Sequence, residues 1–137
     1  MSLLPPIPEL RCIGLLRGDI TELDDAPKNY TISERVGVLE IDPAYSDALL
    51  GVEPGATVVV LFWLHRADRT VLQVYPRGDR SRGLHGVFAT RSPARPNPIA
   101  LSELEVLAVE GVRLTVRGVD VLDGTPILDI KKKIVRD

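Results

Sequence analysis

Short β-branched runs separated by turn residues fill most of the chain, at 10–16, 35–41, 57–65, 70–75, 85–90, 104–109 and 112–119. In "VRLTVRGV", Val112, Leu114 and Val116 alternate with Arg113, Thr115 and Arg117. Successive side chains on a strand point to opposite faces, so this period of two predicts a half-buried antiparallel strand. Glu110 and Gly111 just before it are short enough to close a hairpin. One segment reads as helix: "DPAYSDALLG" places Asp42 at the N-cap, Pro43 at the first helical position and Gly51 just past the end.

Many short strands and one short helix predict a mainly β fold, a compact single-domain β-barrel over residues 1–137. Closing the sheet removes the exposed edges that an open one must protect. The sequence contains no internal repeat. A content of 45% hydrophobic and 26% charged residues suits a soluble domain with a real core. No apolar run approaches the roughly 18 residues of a membrane span. The start, "MSLLPPIPEL", lacks the basic and continuous apolar parts of a secretion signal, which predicts a cytoplasmic setting.

The lone cysteine, Cys12, lies in the apolar run "LRCIGLL" and is expected to be buried and inert. His65 and His85 stand far apart, with no HxxxH or CxxC spacing, so no metal site is expected.

Charge changes the picture. Residues 1–65 carry 4 Lys or Arg against 10 Asp or Glu, whereas residues 66–95 carry 7 against 2, within a net charge of −2. The positive block is all arginine: Arg66, Arg69, Arg77, Arg80, Arg82, Arg91 and Arg95. A planar guanidinium matches phosphate or carboxylate two bonds at a time, so the block reads either as a solvated loop or as an anion-binding surface. "PRGDRSRG", residues 76–83, has no apolar residue and is expected to be an exposed, mobile loop, the first candidate to meet a polyanion.

Two further stretches suggest chemistry. In "FATRSPARPNPIALS", Pro93, Pro96 and Pro98 stiffen the backbone and remove ladder donors. Were the segment extended, Arg91, Arg95 and Asn97 would share one face. It is either a crossover between strands or a pre-ordered anion site, in which cations held in place lose less entropy on binding. "DVLDGTPILDIKKK" gathers Asp120, Asp123 and Asp129 around an Asp123-Gly124 turn. A carboxylate there is suited to removing a proton or receiving an amino group.

Together "GVFATRSPARPNPIALS" and "DVLDGTPILDIK" closely resemble the TsaA-like family of S-adenosylmethionine-dependent tRNA methyltransferases. "IGLLRG", "DAPKN" and "FWLHRADR" extend the likeness over most of the chain. The resemblance implies a small β-barrel, typically a homodimer, that methylates N6 of threonylcarbamoyladenosine at position 37 of tRNA, beside the anticodon. It implies donor contacts at Pro27, Lys28, Asn29, His65, Arg66, Arg91, Leu101, Asp123, Gly124, Thr125 and Pro126. Here Lys28 and Asn29 stand where the family usually has Arg and Gln, Ala100 replaces a glycine, and "DIKKK" replaces "DIKPY". No GxG occurs, so the glycine-rich nucleotide turn of a doubly wound sheet is absent.

Methyl transfer needs an in-line lone pair, and N6 of a carbamoylated adenosine is a poor nucleophile until its proton leaves. Asp123 or Asp129 is the expected base and Arg91 the anchor for an anionic part of the donor. Arg77, Arg80, Arg82 and Arg95 are expected to face the RNA backbone of an anticodon stem-loop. His65 is either a donor contact or a core residue. The alternatives are a non-catalytic nucleic-acid-binding module with a vestigial donor site, or a methyltransferase of the same fold acting on another amine.

Overall fold

A computed structural model describes residues 3–22 and 33–135. Its strands are β1 (Gly14–Arg17), β2 (Val36–Ile41), β3 (Thr57–Trp63), β4 (Gln73–Val74), β5 (His85–Gly86), β6 (Ile99–Glu110), β7 (Arg113–Arg117) and β8 (Pro126–Lys132). Six run in the order β1-β2-β7-β6-β3-β8 as a closed barrel, with β8 pairing back to β1 through Ile127 opposite Gly14. Every pairing is antiparallel. β4 and β5 form a separate two-stranded ribbon within the connection from β3 to β6.

The period of two decides what lies inside. Val58, Val60 and Phe62 of β3, Leu104 and Val106 of β6, Leu114 and Val116 of β7, Leu39 and Ile41 of β2, and Ile127 of β8 are buried in one cluster. Ile20, Val119, Val121 and Leu122 join that cluster from connections beyond the strand ends. Tyr45 and Leu49, on the segment after β2, pack against it in turn.

Several expectations need correction. The helix is a 3₁₀ segment, Pro43–Leu49, broken at Tyr45, where φ is −110°. Asp42 does cap it, accepting from the Ala44 amide at 2.9 Å. Residues 77–83 are exposed, as expected of that loop, and carry two 3₁₀ turns that the sequence did not suggest, Pro76–Gly78 and Arg80–Arg82. The second is capped by Asp79, whose carboxylate accepts from the Ser81 amide at 2.9 Å and hydroxyl at 2.6 Å. Runs 70–75 and 85–90 shrink to the two-residue strands β4 and β5, because the latter turns at once into a 3₁₀ turn, Val87–Ala89. β8 was not anticipated. It opens on a proline and ends in lysines, and its identity as a strand comes from its ladders to β3 and β1. Cys12 is exposed, since it lies before β1 begins, and its thiol points to the Gly14 carbonyl at 3.2 Å.

β1 lies so close to β2 that a Cβ on Gly14 would stand 2.4 Å from the Glu40 carbonyl oxygen and 3.0 Å from Ile41 Cα. Both are backbone atoms, which cannot rotate aside. Gly14→Ala should therefore cost about 1–3 kcal/mol through overpacking, read as a lower denaturation midpoint with an unchanged m-value.

A candidate active site at one rim of the sheet

Six strands of alternating direction leave three connections at one end, and two connections with the start of β1 and the end of β8 at the other. β1, β3 and β7 finish, and β2, β6 and β8 start, at the same rim. Connections 18–35, 64–98 and 118–125 thus meet there, and they hold nearly every residue expected to serve the site. His65 and Arg66 follow β3 directly and are exposed, so His65 is not a core residue. Arg77, Arg80, Arg82, Arg91 and Arg95 share the long connection to β6, and Asp123, Gly124 and Thr125 form the turn that delivers Pro126, the first residue of β8. Pro27, Lys28 and Asn29 lie outside the described residues.

The proline segment is held by arginine. Backbone carbonyls without ladder donors need other partners. Arg95 supplies them: Nη1 donates to the carbonyls of Thr90 at 3.2 Å and Ser92 at 3.0 Å, and Nη2 to that of Val87 at 2.8 Å. Arg69 does the same further along, with Nε donating to the Pro96 carbonyl at 2.8 Å and Nη2 to Asn97 Oδ1 at 3.1 Å. Its guanidinium also lies over the Trp63 ring, 5.0 Å from the centroid, a cation–π contact that fixes it to the end of β3. Arg95 and Asn97 are therefore engaged within the protein, while Arg91 is exposed on the backbone they brace.

The other cations are set on short turns. Arg77 is the one non-glycine among the described residues with positive φ, at 56°. Arg80 stacks on Tyr75, 4.8 Å from the ring centroid. Arg82 Nε lies 3.5 Å from Asp79, whose carboxyl is held below its usual range by the Ser81 hydroxyl first, then the Ser81 amide and Arg82.

The three aspartates have different surroundings. Asp123 Oδ1 accepts from the Gly18 amide at 3.1 Å, tying the turn to the end of β1. Gly124 provides the positive φ, 81°, that the turn requires. Thr125 is buried and its hydroxyl donates to the Leu122 carbonyl at 2.6 Å, so it shapes the turn. Asp129 lies in mid-strand on β8, opposite Leu61, with Lys131 Nζ at 3.3 Å. Leu101 flanks the same Leu61 from β6, so Asp129 and Leu101 share the outer wall below the rim. Asp120, absent from the residues expected to act, accepts from the buried Ser102 hydroxyl at 2.7 Å. Burial pushes its carboxyl above the usual range, partly offset by that hydrogen bond. Only the clustering of carboxylates hinted at it, because sequence spacing does not show which one turns inward.

Among the described residues no cluster of His, Cys, Asp and Glu is suited to a metal, and no helix is long and apolar enough to cross a membrane. Two open grooves, of about 460 and 380 Å³, lie at the other end of the strands; Cys12, Glu40 and Pro43 help line the first, and Ala56 and Lys132 the second.

Comparison with known proteins places this architecture. A model of the tRNA-methyltransferase O N-terminal domain matches residues 15–136. The chain belongs to that family. It is 45% identical over 122 residues to a probable S-adenosyl-L-methionine-binding protein of Methanothermobacter thermautotrophicus, covering 89% of this chain and 87% of that one. It is 42% identical over 123 residues to an S-adenosyl-L-methionine-binding protein of Archaeoglobus fulgidus, covering 90% and 87%. A crystal structure of TrmO from Pseudomonas aeruginosa superposes with a TM-score of 0.74 at 32% identity, covering 94% of this chain. The family member spans only 57% of that solved chain.

Two stability measurements follow from the site. Arg95→Ala should cost about 1–3 kcal/mol and expose residues 87–96 to protease, since the Thr90 and Ser92 carbonyls lose this donor and that of Val87 loses one of its three. Arg95→Lys should recover little, because an ammonium cannot serve three carbonyls in a plane. Asp120 has a folded-state pKa above its unfolded value, so its contribution is fully present below the unfolded pKa and is lost as pH rises through the folded pKa. Thermal melts across that window should show Asp120→Asn gaining on wild type as pH rises, with the difference vanishing in acid.

Proposed function

We propose that this chain transfers a methyl group from S-adenosyl-L-methionine to N6 of threonylcarbamoyladenosine at position 37 of tRNA, as a single-domain cytoplasmic homodimer. The observation that carries the reading is that one rim bears both a braced cationic segment and a carboxylate-bearing turn. Family membership and relatives named for binding this donor support it.

The residues present fit such a donor. Arg66 and Arg91 are exposed guanidinium groups suited to its carboxylate. Asp123 on the rim turn suits its ammonium or ribose hydroxyls. Leu101, 43% exposed, and Trp63 offer apolar surface to a purine ring at the ends of β6 and β3. Pro27, Lys28 and Asn29, with His65 and the Gly124-Thr125-Pro126 turn, complete the proposed contacts. The bound donor supplies an electrophilic methyl group.

The protein's part is position and proton transfer. Arg95 and Arg69 hold the segment so that Arg91 meets the donor without reordering, which lowers the entropy lost on binding. As the N6 lone pair displaces the donor's sulfur from the methyl carbon, the N6 proton would pass to a carboxylate on the rim. Asp123 is placed for this by its turn, and Asp120 beside it by its raised proton affinity. Asp129, on the outer wall next to Leu101, can serve only where a second copy brings a substrate to that face. The exposed Ile99 and Leu101 on that wall favour such a pairing. Arg77, Arg80 and Arg82 supply charge toward the RNA backbone, with Arg95 fixing the segment behind them.

Incubation with labelled donor and bulk tRNA from a strain lacking its own enzyme should place label in the modified adenosine at position 37, read by nucleoside mass spectrometry. Arg91→Ala should weaken donor binding by about tenfold or more in calorimetry, the effect of losing a charge-assisted pair. Label on another base, or none, refutes the proposed substrate. Unchanged donor affinity removes the anchor.

A further inference from the structure

Phe88 is the most exposed aromatic side chain among the described residues, at 84%. It stands in the middle of the turn Val87–Ala89, whose first residue is buried to 2%. Turning a phenyl ring into water while anchoring its neighbour forgoes apolar burial that folding would otherwise use.

The turn fixes the backbone from which the ring projects. Three donors converge on the Val87 carbonyl: the Thr90 amide at 3.1 Å, the Thr90 hydroxyl at 2.9 Å and Arg95 Nη2 at 2.8 Å. The Ser92 amide donates to the Thr90 hydroxyl oxygen at 3.1 Å, and the Val87 amide to the Leu72 carbonyl at 2.9 Å. A large, flat apolar surface is thus displayed on a fixed backbone. Leu72 and Leu84, 65% and 52% exposed, immediately precede β4 and β5 of the ribbon that leads into the turn.

The surrounding charge selects the partner. Residues 66–95 hold 7 arginines and 2 aspartates; Arg69 and Arg95 brace the backbone and Arg82 pairs with Asp79, which leaves Arg66, Arg77, Arg80 and Arg91 as the positive excess of this surface. An apolar protein face would gain nothing from such a rim. A nucleobase gains from both parts, stacking on the ring while its phosphates meet the arginines.

We propose that Phe88 is a stacking platform for an unpaired base of the RNA that this surface receives. The inference rests on the reading of the chain as an RNA-directed protein, and it assigns to one residue the recognition of looped rather than paired RNA. Stacking carries no charge, so its loss leaves a signature unlike that of a lost phosphate contact.

The test uses fluorescence anisotropy with two probes, an RNA hairpin with an unpaired loop and the same stem as a blunt duplex. Phe88→Ala should weaken hairpin binding about tenfold or more, leave duplex binding unchanged and keep the slope of log K against log salt. Phe88→Trp should restore affinity. Arg80→Ala with Arg82→Ala should instead weaken both probes and flatten the slope. Wild-type hairpin affinity in Phe88→Ala overturns the proposal, as does a slope that falls with affinity. So does sedimentation showing that Phe88→Ala splits an oligomer while RNA affinity persists. Should the hairpin behave as expected while no methyl group is incorporated, the stacking role stands and the proposed reaction fails. Should methylation proceed with Phe88→Ala binding like wild type, the reverse holds.

Discussion

Between the ribbon of β4 and β5 and the start of β6, prolines keep the chain out of any ladder, and its carbonyl oxygens must find donors elsewhere. Arg95 and Arg69 provide them, reaching Val87, Thr90, Ser92 and Pro96 with one planar group each. An unpaired buried carbonyl is costly, so these bonds are a condition for the segment having one conformation at all. The fixed positions of Phe88 and Arg91 both follow from it. Two of the seven arginines therefore act as internal struts, and the cationic surface is the remainder.

The second constraint is parity. An even number of antiparallel strands in a ring sorts the connections into two sets, and the two longest, after β1 and after β3, fall on one side with the Asp123 turn. Residues separated by nearly the whole chain thereby become neighbours: the Gly18 amide meets Asp123, and Ser33 donates to the Val119 carbonyl at 2.6 Å. The apolar interior makes this arrangement rigid, because a one-residue slip of any strand would turn its buried face to water. Ser102, one of two buried polar residues among those described, carries that interior's contact with the rim through Asp120.

Alternation made β2, β3 and β7 legible, since their buried faces repeat every second residue. β8 escaped because Pro126, Asp129 and the lysines dilute its β-branched content, and only long-range pairing with β3 reveals it. The helix near Asp42 was recognised by its cap but not by type, since Tyr45 breaks its backbone path. The motifs marked the right segments for the site. They did not reveal that Arg95 is turned to its own backbone, because hydrogen bonds from a guanidinium to carbonyls three to eight residues away have no sequence pattern. Cys12 misled through its apolar neighbours, since Leu15 and Leu16 belong to β1 while Cys12 lies before it. Asp120 was lost among three similar carboxylates that only burial distinguishes.

The same parity fixes where the chain enters and leaves. β1 begins and β8 ends at the far rim, away from the meeting of the three long connections. Segments joined to β1 or β8 therefore meet the sheet on its underside, at the pole opposite the mouth that would receive a large guest.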